Sequence, residues 1–464
     1  MKIKHTILLI LAAFLVLLFN ARCGKNFMEN PEVQQDPNRA VEVSADQLFN
    51  AVQMKTFFQQ ENLLSRITSI WMQQMAGVDR QAAAYGKYLI TDNTTSDEMN
   101  GFFIEGGLVD IKELKSRTTD AGNRVYTGIV KFYEAFNIGM ASSLWGDFPY
   151  SEACGDVLTP KLDSQEEIYA HLQQLLDEAI ADLQSGEKGT VMANSPANDV
   201  IFAGDAQRWI QACYSLKARL HMHWAEVDGS NYANAIAAAQ SGISDWANSV
   251  KSFHTGNLNE EFGWYNFQSQ RDSYIRAGNY MVTLLKDRND PRLDIYFEPD
   301  AEGDYVGADP GENNTNASTL SLTHYLRPDK SFDLLTWEET QLIIAECAFE
   351  MGDEALARQK IDEVRRGVEQ RYSLQEGVLG SVDDVSGAAL FDIIMEEKYI
   401  ALFLNVEVYN DWKRTGRPVL VPFGGGDPQV KIPHRLYYGS LERNSNPNIP
   451  VPSAQPVRNP NDPY

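Results

Sequence analysis

Residues 336–364 read TWEETQLIIAECAFEMGDEALARQKIDEV and carry the clearest structural signal in the chain. Thr336, followed three residues later by Glu339, has the pattern of a capping box, which marks the start of a helix. Apolar residues then recur at the spacing of one helix face, at Leu342, Ala345, Ala348 and Phe349. Gly352 and Asp353 interrupt this pattern, which resumes at Ala355, Ala357, Ile361 and Val364. The stretch therefore predicts two helices joined by a tight turn.

The same periodicity recurs along most of the chain. One-face apolar patterns cover residues 129–140, 164–183, 205–220 and about 390–404. Ser164 with Glu167 forms another capping box, and Asp205 can cap the helix that follows it. Alternating strand patterns are scarce, so the sequence predicts an all-α fold.

Two long stretches, about 250–335 and 415–464, lack periodicity and are rich in Gly, Pro, Asn and Asp. Irregular segments of this length in a compact protein tend to carry function or to cover a partner surface. The helix pair in 336–364 has the length of a tetratricopeptide-like hairpin, although no exact internal repeat is present. We therefore predict one helical domain with such hairpins and long irregular insertions, and a C-terminal stretch packed across its body.

The N-terminus predicts export. Lys2, Lys4 and His5 precede an unbroken apolar run over 7–19, and Cys23 follows. This run has the length of a signal-peptide core and is short for a membrane-spanning helix. We predict a signal peptide at 1–22, lipidation of Cys23, a polar tether at 23–44 and the folded domain at 45–464. Asn20 and Arg22 depart from the small residues that precede a lipidated cysteine, so ordinary secretion is the alternative.

The charge balance restricts the partners. The chain has 64 acidic against 40 basic residues, a formal net charge of -24. Such a surface disfavours nucleic acid and anionic membrane faces, because both are polyanions. A soluble body outside the cell, held at a membrane only by acyl chains on Cys23, fits this charge.

Signatures of catalysis and metal binding are mostly absent. We find no GxSxG, HExxH, P-loop, GxGxxG or CxxC pattern. His221 and His223 are two apart on a predicted helix and so point to different faces, and Cys213 and Cys347 are expected to be buried free thiols. The acidic stretch Asp300–Glu312 lacks EF-hand spacing, so we interpret it as a surface loop and leave calcium binding open. No metal site and no cofactor is predicted.

Aromatic residues are the more informative candidates. Phe132, Tyr133, Phe136 and Trp209 recur at helical spacing and are assigned to the core. Other aromatic residues lie in or near irregular segments, where exposed rings can stack on sugar rings or hold peptide side chains. The candidate ligand-binding residues are Trp71, Tyr85, Phe102, Trp264, Tyr265 and Tyr274.

Several motifs, read in order, resemble the SusD/RagB family of outer-membrane lipoproteins, in particular its second sequence subgroup. Any one motif is weak, but together they run along nearly the whole chain. They are DPN at 36–38, LWGDFPYSEA at 144–153, DSQEEIY at 163–169, GDAQRW and SLKAR at 204–209 and 215–219, DPRL at 290–293, EETQLIIAE at 338–346, EVYNDWKRTGRP at 407–418, and IPHRLYY at 432–438.

The resemblance implies a SusD-like helical domain on the extracellular face of a Bacteroidota-type outer membrane. It implies a SusC-like TonB-dependent transporter as partner, over which the lipoprotein acts as a lid. The lid would capture a glycan or a peptide and deliver it without chemistry. Because paired carboxylates can be imagined in so acidic a chain, a secreted all-α glycoside hydrolase remains the alternative, and a helical-repeat adaptor with only a protein partner is a third, weaker one.

Overall fold

The structure is a computed structural model that describes residues 43–190, 198–425 and 427–463. The predicted signal peptide, Cys23, the DPN motif and nearly all of the predicted tether lie outside the described residues, so those predictions remain untested. The first described helix begins at Ala45. No helix in the described ranges is long and apolar enough to cross a membrane.

The predicted all-α class is confirmed. The helices of the first half are α1 (Ala45–Glu61), α2 (Leu63–Trp71), α3 (Arg80–Gly86), α4 (Ser96–Gly101), α5 (Leu108–Asp120), α6 (Arg124–Trp145), α7 (Gln165–Ser185), α8 (Ala206–Met222) and α9 (Ser230–Ala239). Those of the second half are α10 (Gly263–Gln270), α11 (Asn279–Asp287), α12 (Arg292–Tyr296), α13 (Trp337–Glu350), α14 (Glu354–Arg371), α15 (Gly387–Ala401), α16 (Glu407–Thr415) and α17 (Ser440–Ser445).

The predicted hairpin in 336–364 is helices α13 and α14. Thr336 caps α13, and its hydroxyl accepts the Glu339 N–H at 3.1 Å. The reciprocal half of the capping box is absent, because the Glu339 carboxylate accepts instead from the buried Arg219 guanidinium at 2.6 Å. Gly352 lies in the turn with φ +84°, a conformation that glycine adopts without steric cost.

Neighbouring helices form a layered scaffold. Helix α6 packs along α7, α7 against α8, α8 against α9, and α9 against the α13–α14 hairpin. Two glycines in α6 allow close approach. A Cβ at Gly128 would lie 2.8 Å from the Ala179 carbonyl oxygen, and one at Gly139 would lie 2.9 Å from Leu220 Cδ2. Since α9 contacts α13 directly, residues 240–335 leave the scaffold as an insertion and return to it.

This insertion is more regular than the sequence predicts. It contains α10–α12 and most of the strands, which are β1 (Met75–Gly77), β2 (Val250–Lys251), β3 (Ile275–Ala277), β4 (Phe297–Glu298), β5 (Thr319–Leu320) and β6 (Asp333–Leu335). The antiparallel pairs are β1–β3, β2–β6 and β4–β5. The Ala277 N–H also donates to the Ser318 carbonyl at 2.8 Å. Such short elements escape prediction because two or three residues show no periodicity.

The C-terminal stretch packs across the scaffold, as predicted. Trp145 at the end of α6 donates its indole N–H to the Tyr437 carbonyl at 2.8 Å, and Arg435 donates to the Trp145 carbonyl at 2.6 Å. Further along, Asn459 donates to the Ser143 carbonyl at 2.8 Å. The stretch thereby supplies partners to a helix end that lies 290–316 positions earlier in the chain.

Candidate functional site

A cleft of about 780 Å³ opens within the insertion and is the candidate functional site; we call it the insertion cleft. Its walls come from α10, from the segment 272–276, from the turn 299–302, and from residues 315–326. The volume lies within the range of small-molecule sites, ~300–1,000 Å³. The irregular stretch that the sequence predicts to carry function therefore does form a cavity.

One face of α10 lines the cleft. Tyr265, Gln268 and Ser269 stand three and four residues apart, so they project from the same side of the helix. Tyr265 is half-buried, and its hydroxyl makes no hydrogen bond with another described residue. The ring therefore offers the cleft both an apolar surface and an unused polar tip.

The interior polar groups of the cleft are held in place by the backbone. The amide nitrogen of buried Gln268 donates to the Ile275 carbonyl at 3.1 Å, and its amide oxygen has no partner among the described residues. Arg276 donates to the carbonyls of Thr315, at 2.7 Å, and of Asp272. Burial lowers the pKa of the Arg276 guanidinium, although the charge of Asp272 opposes this shift. Backbone carbonyls therefore orient the side chains of Gln268 and Arg276. Arg276 forms no ion pair with a carboxylate among the described residues.

Carboxylates form the rim of the cleft at Asp272, Asp300 and Glu302. Asp300 stabilises its own turn, because its carboxylate accepts the N–H groups of Glu302, at 3.1 Å, and Asp304, at 2.9 Å. An acidic rim repels anions and accepts hydrogen bonds from hydroxyl or amide groups. Combined with the Tyr265 ring, the arrangement suits a neutral ligand rich in hydroxyl groups.

The structure places only one of the six candidate aromatic residues in the cleft, and that residue is Tyr265. The expectation that these rings are exposed is wrong for Trp71, Phe102 and Trp264, which are buried in the core. Large rings bury much apolar area, and a buried indole still needs a hydrogen-bond acceptor. Trp71 donates to the Tyr85 carbonyl at 3.2 Å, and Trp264 donates to Ser65 Oγ at 2.9 Å.

Tyr85 and Tyr274 are half-buried but do not line the cleft. Tyr274 packs edge-on against Phe267, with ring centroids 6.0 Å apart, on a different side of α10 from Tyr265. The Arg66 guanidinium lies 4.2 Å from the Phe267 centroid, and burial lowers its pKa to about 10. Burial also raises the pKa of the Tyr85 hydroxyl. These two tyrosines border a separate cation–π cluster around Phe267.

Sequence reasoning missed the polar residues of the cleft, in particular Gln268, Asp272 and Arg276. The sequence pattern around these residues is a weak indication of a helix, because α10 has only eight residues and lies in a stretch without sustained periodicity. The spacing of Tyr265, Gln268 and Ser269 is nevertheless helical, and it could have grouped these three residues on one face.

Other expectations concern histidines, cysteines and metals. His221 contacts Asn231, whereas His223 lies between Tyr169 and Glu407, which confirms that the two histidines face different ways. Cys213 and Cys347 are buried free thiols, as predicted. Within residues 43–190, 198–425 and 427–463, no group of three or more His, Cys, Asp or Glu residues is arranged to hold a metal ion.

Comparison with solved structures shows the same fold. A SusD/RagB family protein from Bacteroides thetaiotaomicron VPI-5482 matches with a TM-score of 0.73 and 21% identity, over 88% of this chain and 95% of that one. A chitin-binding SusD homologue from Flavobacterium johnsoniae matches with a TM-score of 0.74 and 18% identity, over 89% and 97%. A SusD homologue from Bacteroides fragilis NCTC 9343 gives 0.70 and 19%, over 88% and 94%.

No curated protein sequence matches the chain. A family model does match residues 37–439, which is well over half of the chain, and it is described as SusD-like, starch-binding and associating with the outer membrane. The match spans the helical scaffold, the insertion cleft and the first part of the C-terminal stretch. The chain therefore belongs to the SusD-like family.

Proposed function

We propose that this protein is a cell-surface nutrient-binding lipoprotein that captures a glycan in the insertion cleft and delivers it to a SusC-like TonB-dependent transporter. The observation that carries the proposal is the half-buried Tyr265 ring, set among fixed polar groups in a cleft of about 780 Å³. No described residue makes a hydrogen bond with its hydroxyl. An aromatic face flanked by directed donors and acceptors is the usual means of holding a sugar ring.

A glycan fits the cleft better than a peptide does. The cleft lining offers hydrogen-bond donors and acceptors from several side chains, namely Gln268, Asp272, Arg276 and Asn316. The family description names starch, and one similar structure is a chitin-binding homologue. We therefore propose a neutral glycan as ligand.

The N-terminus and the family support the proposed location. The apolar run at 7–19 with Cys23 supports export and lipidation, and the family is described as associating with the outer membrane. We propose that acyl chains on Cys23 hold the protein at the extracellular face of that membrane. Metabolic labelling with a fatty-acid analogue tests this, since Cys23→Ser should abolish the label and leave the protein in the soluble fraction.

Glycan binding is tested by calorimetric titration of the full chain with malto- and chito-oligosaccharides. Tyr265→Ala should weaken binding at least about ten-fold, because the stacking surface is lost. Tyr437→Ala is the matched control, since that side chain is 38% exposed and lies outside the cleft. Saturable binding that Tyr265→Ala leaves unchanged would place the ligand elsewhere and contradict the proposal.

The hydrolase alternative makes an opposite prediction. A binding protein should leave a bound oligosaccharide intact after prolonged incubation, as judged by mass spectrometry of the sugar. Shortened products from wild-type protein, absent with Asp272→Asn or Glu302→Gln, would support hydrolysis and refute a purely binding role.

The partner is tested by gentle-detergent purification of tagged protein from its native host. Co-purification of a large TonB-dependent barrel in near-equal amount supports the lid role. Recovery of the protein without a barrel, under conditions where Cys23 is acylated, would contradict it.

A further inference from the structure

A second cavity, of about 480 Å³, lies on the helical scaffold and shares no residue with the insertion cleft. Helices α5, α6 and α7 build it together with the loop that joins α6 to α7. We call it the lysine pocket, because Lys112, Lys115 and Lys161 all line it. Three carboxylates, those of Glu134, Asp163 and Glu167, line the same cavity, so the partners of each charged group decide what the pocket can still bind.

Each of the three carboxylates that line the lysine pocket has a partner. Glu167 accepts the N–H and the hydroxyl of Ser164 at 3.3 and 2.8 Å. Glu134 accepts from Lys115 Nζ at 2.5 Å and from the Tyr150 hydroxyl at 2.8 Å. Asp163 accepts from the Tyr150 N–H at 3.1 Å and from the N–H and hydroxyl of Ser151 at 2.6 and 2.7 Å. Although burial opposes it, these hydrogen bonds hold the pKa of Asp163 below its ordinary value.

The ammonium groups, by contrast, keep unused donors. Lys112 donates to the Ala153 carbonyl at 2.6 Å and pairs with no described carboxylate. Lys161 lies 3.2 Å from Asp163, and its side chain is 57% exposed. An ammonium carries three N–H donors, so both lysines retain some for a ligand. His171, also on the wall, makes no hydrogen bond with another described residue and adds a further donor.

We propose that the lysine pocket binds a small carboxylate-bearing ring compound, of the size and chemistry of a uronic acid. Among the described residues, Glu167 Oε1 accepts no hydrogen bond, whereas Lys112, Lys161 and His171 all keep unused donors. This excess of donors favours an anion, and charge-assisted hydrogen bonds give such a contact its strength. Tyr150 and Ile168 supply an apolar wall for the ring. The motif LWGDFPYSEA thereby gains a ligand-binding role in addition to ending α6, since Tyr150 and Ser151 shape the pocket.

The test is calorimetric titration of the full chain with galacturonate, and with galactose as the neutral counterpart, at low ionic strength. Galacturonate should bind saturably and galactose should not. The double variant Lys112→Gln/Lys161→Gln should weaken galacturonate binding at least about ten-fold. Lys286→Gln is the matched control, because Lys286 also donates to a backbone carbonyl, that of Tyr305 at 2.5 Å, but lies outside the pocket.

The proposal would be overturned by an absence of saturable galacturonate binding or by equal binding of galactose. An equal loss of binding in Lys286→Gln would also overturn it, because it would show a general charge effect. If the double variant does not fold, NMR of the wild-type protein tests the proposal instead. Galacturonate bound in the lysine pocket should shift the signals of the His171 ring, and unchanged signals would contradict the proposal. Tyr265→Ala should leave galacturonate binding intact; its loss in that variant would place the anion in the insertion cleft and refute the second site.

Discussion

Adjacent residues on one short helix have opposite roles. Trp264 is buried and donates to Ser65, whereas Tyr265 turns its ring toward the insertion cleft. Both residues are aromatic, and both follow a polar segment, so their sequence context is nearly the same. The difference arises from the neighbours of α10, since one side of this helix packs on α2 and the other remains open.

We predict that Trp264→Ala lowers the free energy of unfolding by about 3–5 kcal/mol, the usual cost of removing a buried large ring. Chemical denaturation measures this cost. Tyr265→Ala should lose much less stability, because its ring is only partly buried. Equal destabilisation by the two variants would show that Tyr265 is a core residue.

Glu338 is a buried acid with an altered titration. Burial raises the pKa of its carboxyl to about 7, against the nearby Arg371, while the charge of Asp333 adds to the increase. One carboxylate oxygen of Glu338 has no hydrogen-bond partner among the described residues. In an unfolded chain the same group titrates near 4.5. The native state therefore binds the proton more tightly, and Glu338 disfavours folding increasingly as pH rises from about 4.5 to 7.

We predict that Glu338→Gln becomes more stable relative to the wild type as the pH is raised from 5 to 8. The amide is uncharged throughout, so it lacks the penalty that the carboxylate acquires over this range. Denaturation of both proteins at several pH values measures the difference. A difference in unfolding free energy that does not change with pH would contradict the raised pKa.

Helix starts follow local rules in this protein. Ser164 and Glu167 form the complete capping box that their spacing predicts, and Asp205 accepts the N–H groups of Gln207 and Arg208. Of these three predicted caps, the one at Thr336 is incomplete, because the Glu339 carboxylate accepts hydrogen bonds from Arg219 instead of from the Thr336 N–H. A capping box predicted from sequence therefore forms unless a residue distant in the chain binds the same side chain, as Arg219 binds Glu339.

Helix spacing depends on small residues in α6. We predict that Gly128→Leu lowers the free energy of unfolding by about 1–3 kcal/mol, because its Cβ would lie 2.8 Å from the Ala179 carbonyl oxygen and force α7 outward. Ala181→Leu, at an exposed position of α7, is the matched control. Thermal unfolding of both variants measures the effect, and similar melting temperatures would show that α6 and α7 can separate at little cost.

On the scale of the whole molecule, the C-terminal stretch ties together the ends of several scaffold helices. Asn459 contacts the Ser143 carbonyl in α6, and Asn461 contacts the His223 carbonyl just after α8. The Asn461 N–H also reaches Gln165 at the start of α7, at 3.1 Å. One segment therefore satisfies buried polar groups on three helices.

We predict that deletion of residues 447–464 lowers the melting temperature and makes α6 accessible to proteolysis, because the buried acceptors lose their donors. The replacement Val457→Ser is the control, since that side chain is 82% exposed. Limited proteolysis with mass spectrometry reports the cleavage sites. An unchanged cleavage pattern in the deleted protein would show that the stretch only lies over the scaffold.

Four features can be predicted from the sequence alone: the all-α class, the α13–α14 hairpin, the principal caps and the stretch that carries the cleft. These features depend on apolar periodicity and on contacts between residues a few positions apart, and both are visible in the sequence. Folding in three dimensions places Tyr265 in the cleft and buries Trp71, Phe102 and Trp264 in the core. It also brings Gln268 and Arg276 together beside Tyr265. The burial of a ring and the convergence of side chains in a cleft depend on contacts between residues far apart in the chain, such as Trp264 and Ser65. Local spacing does not predict such contacts.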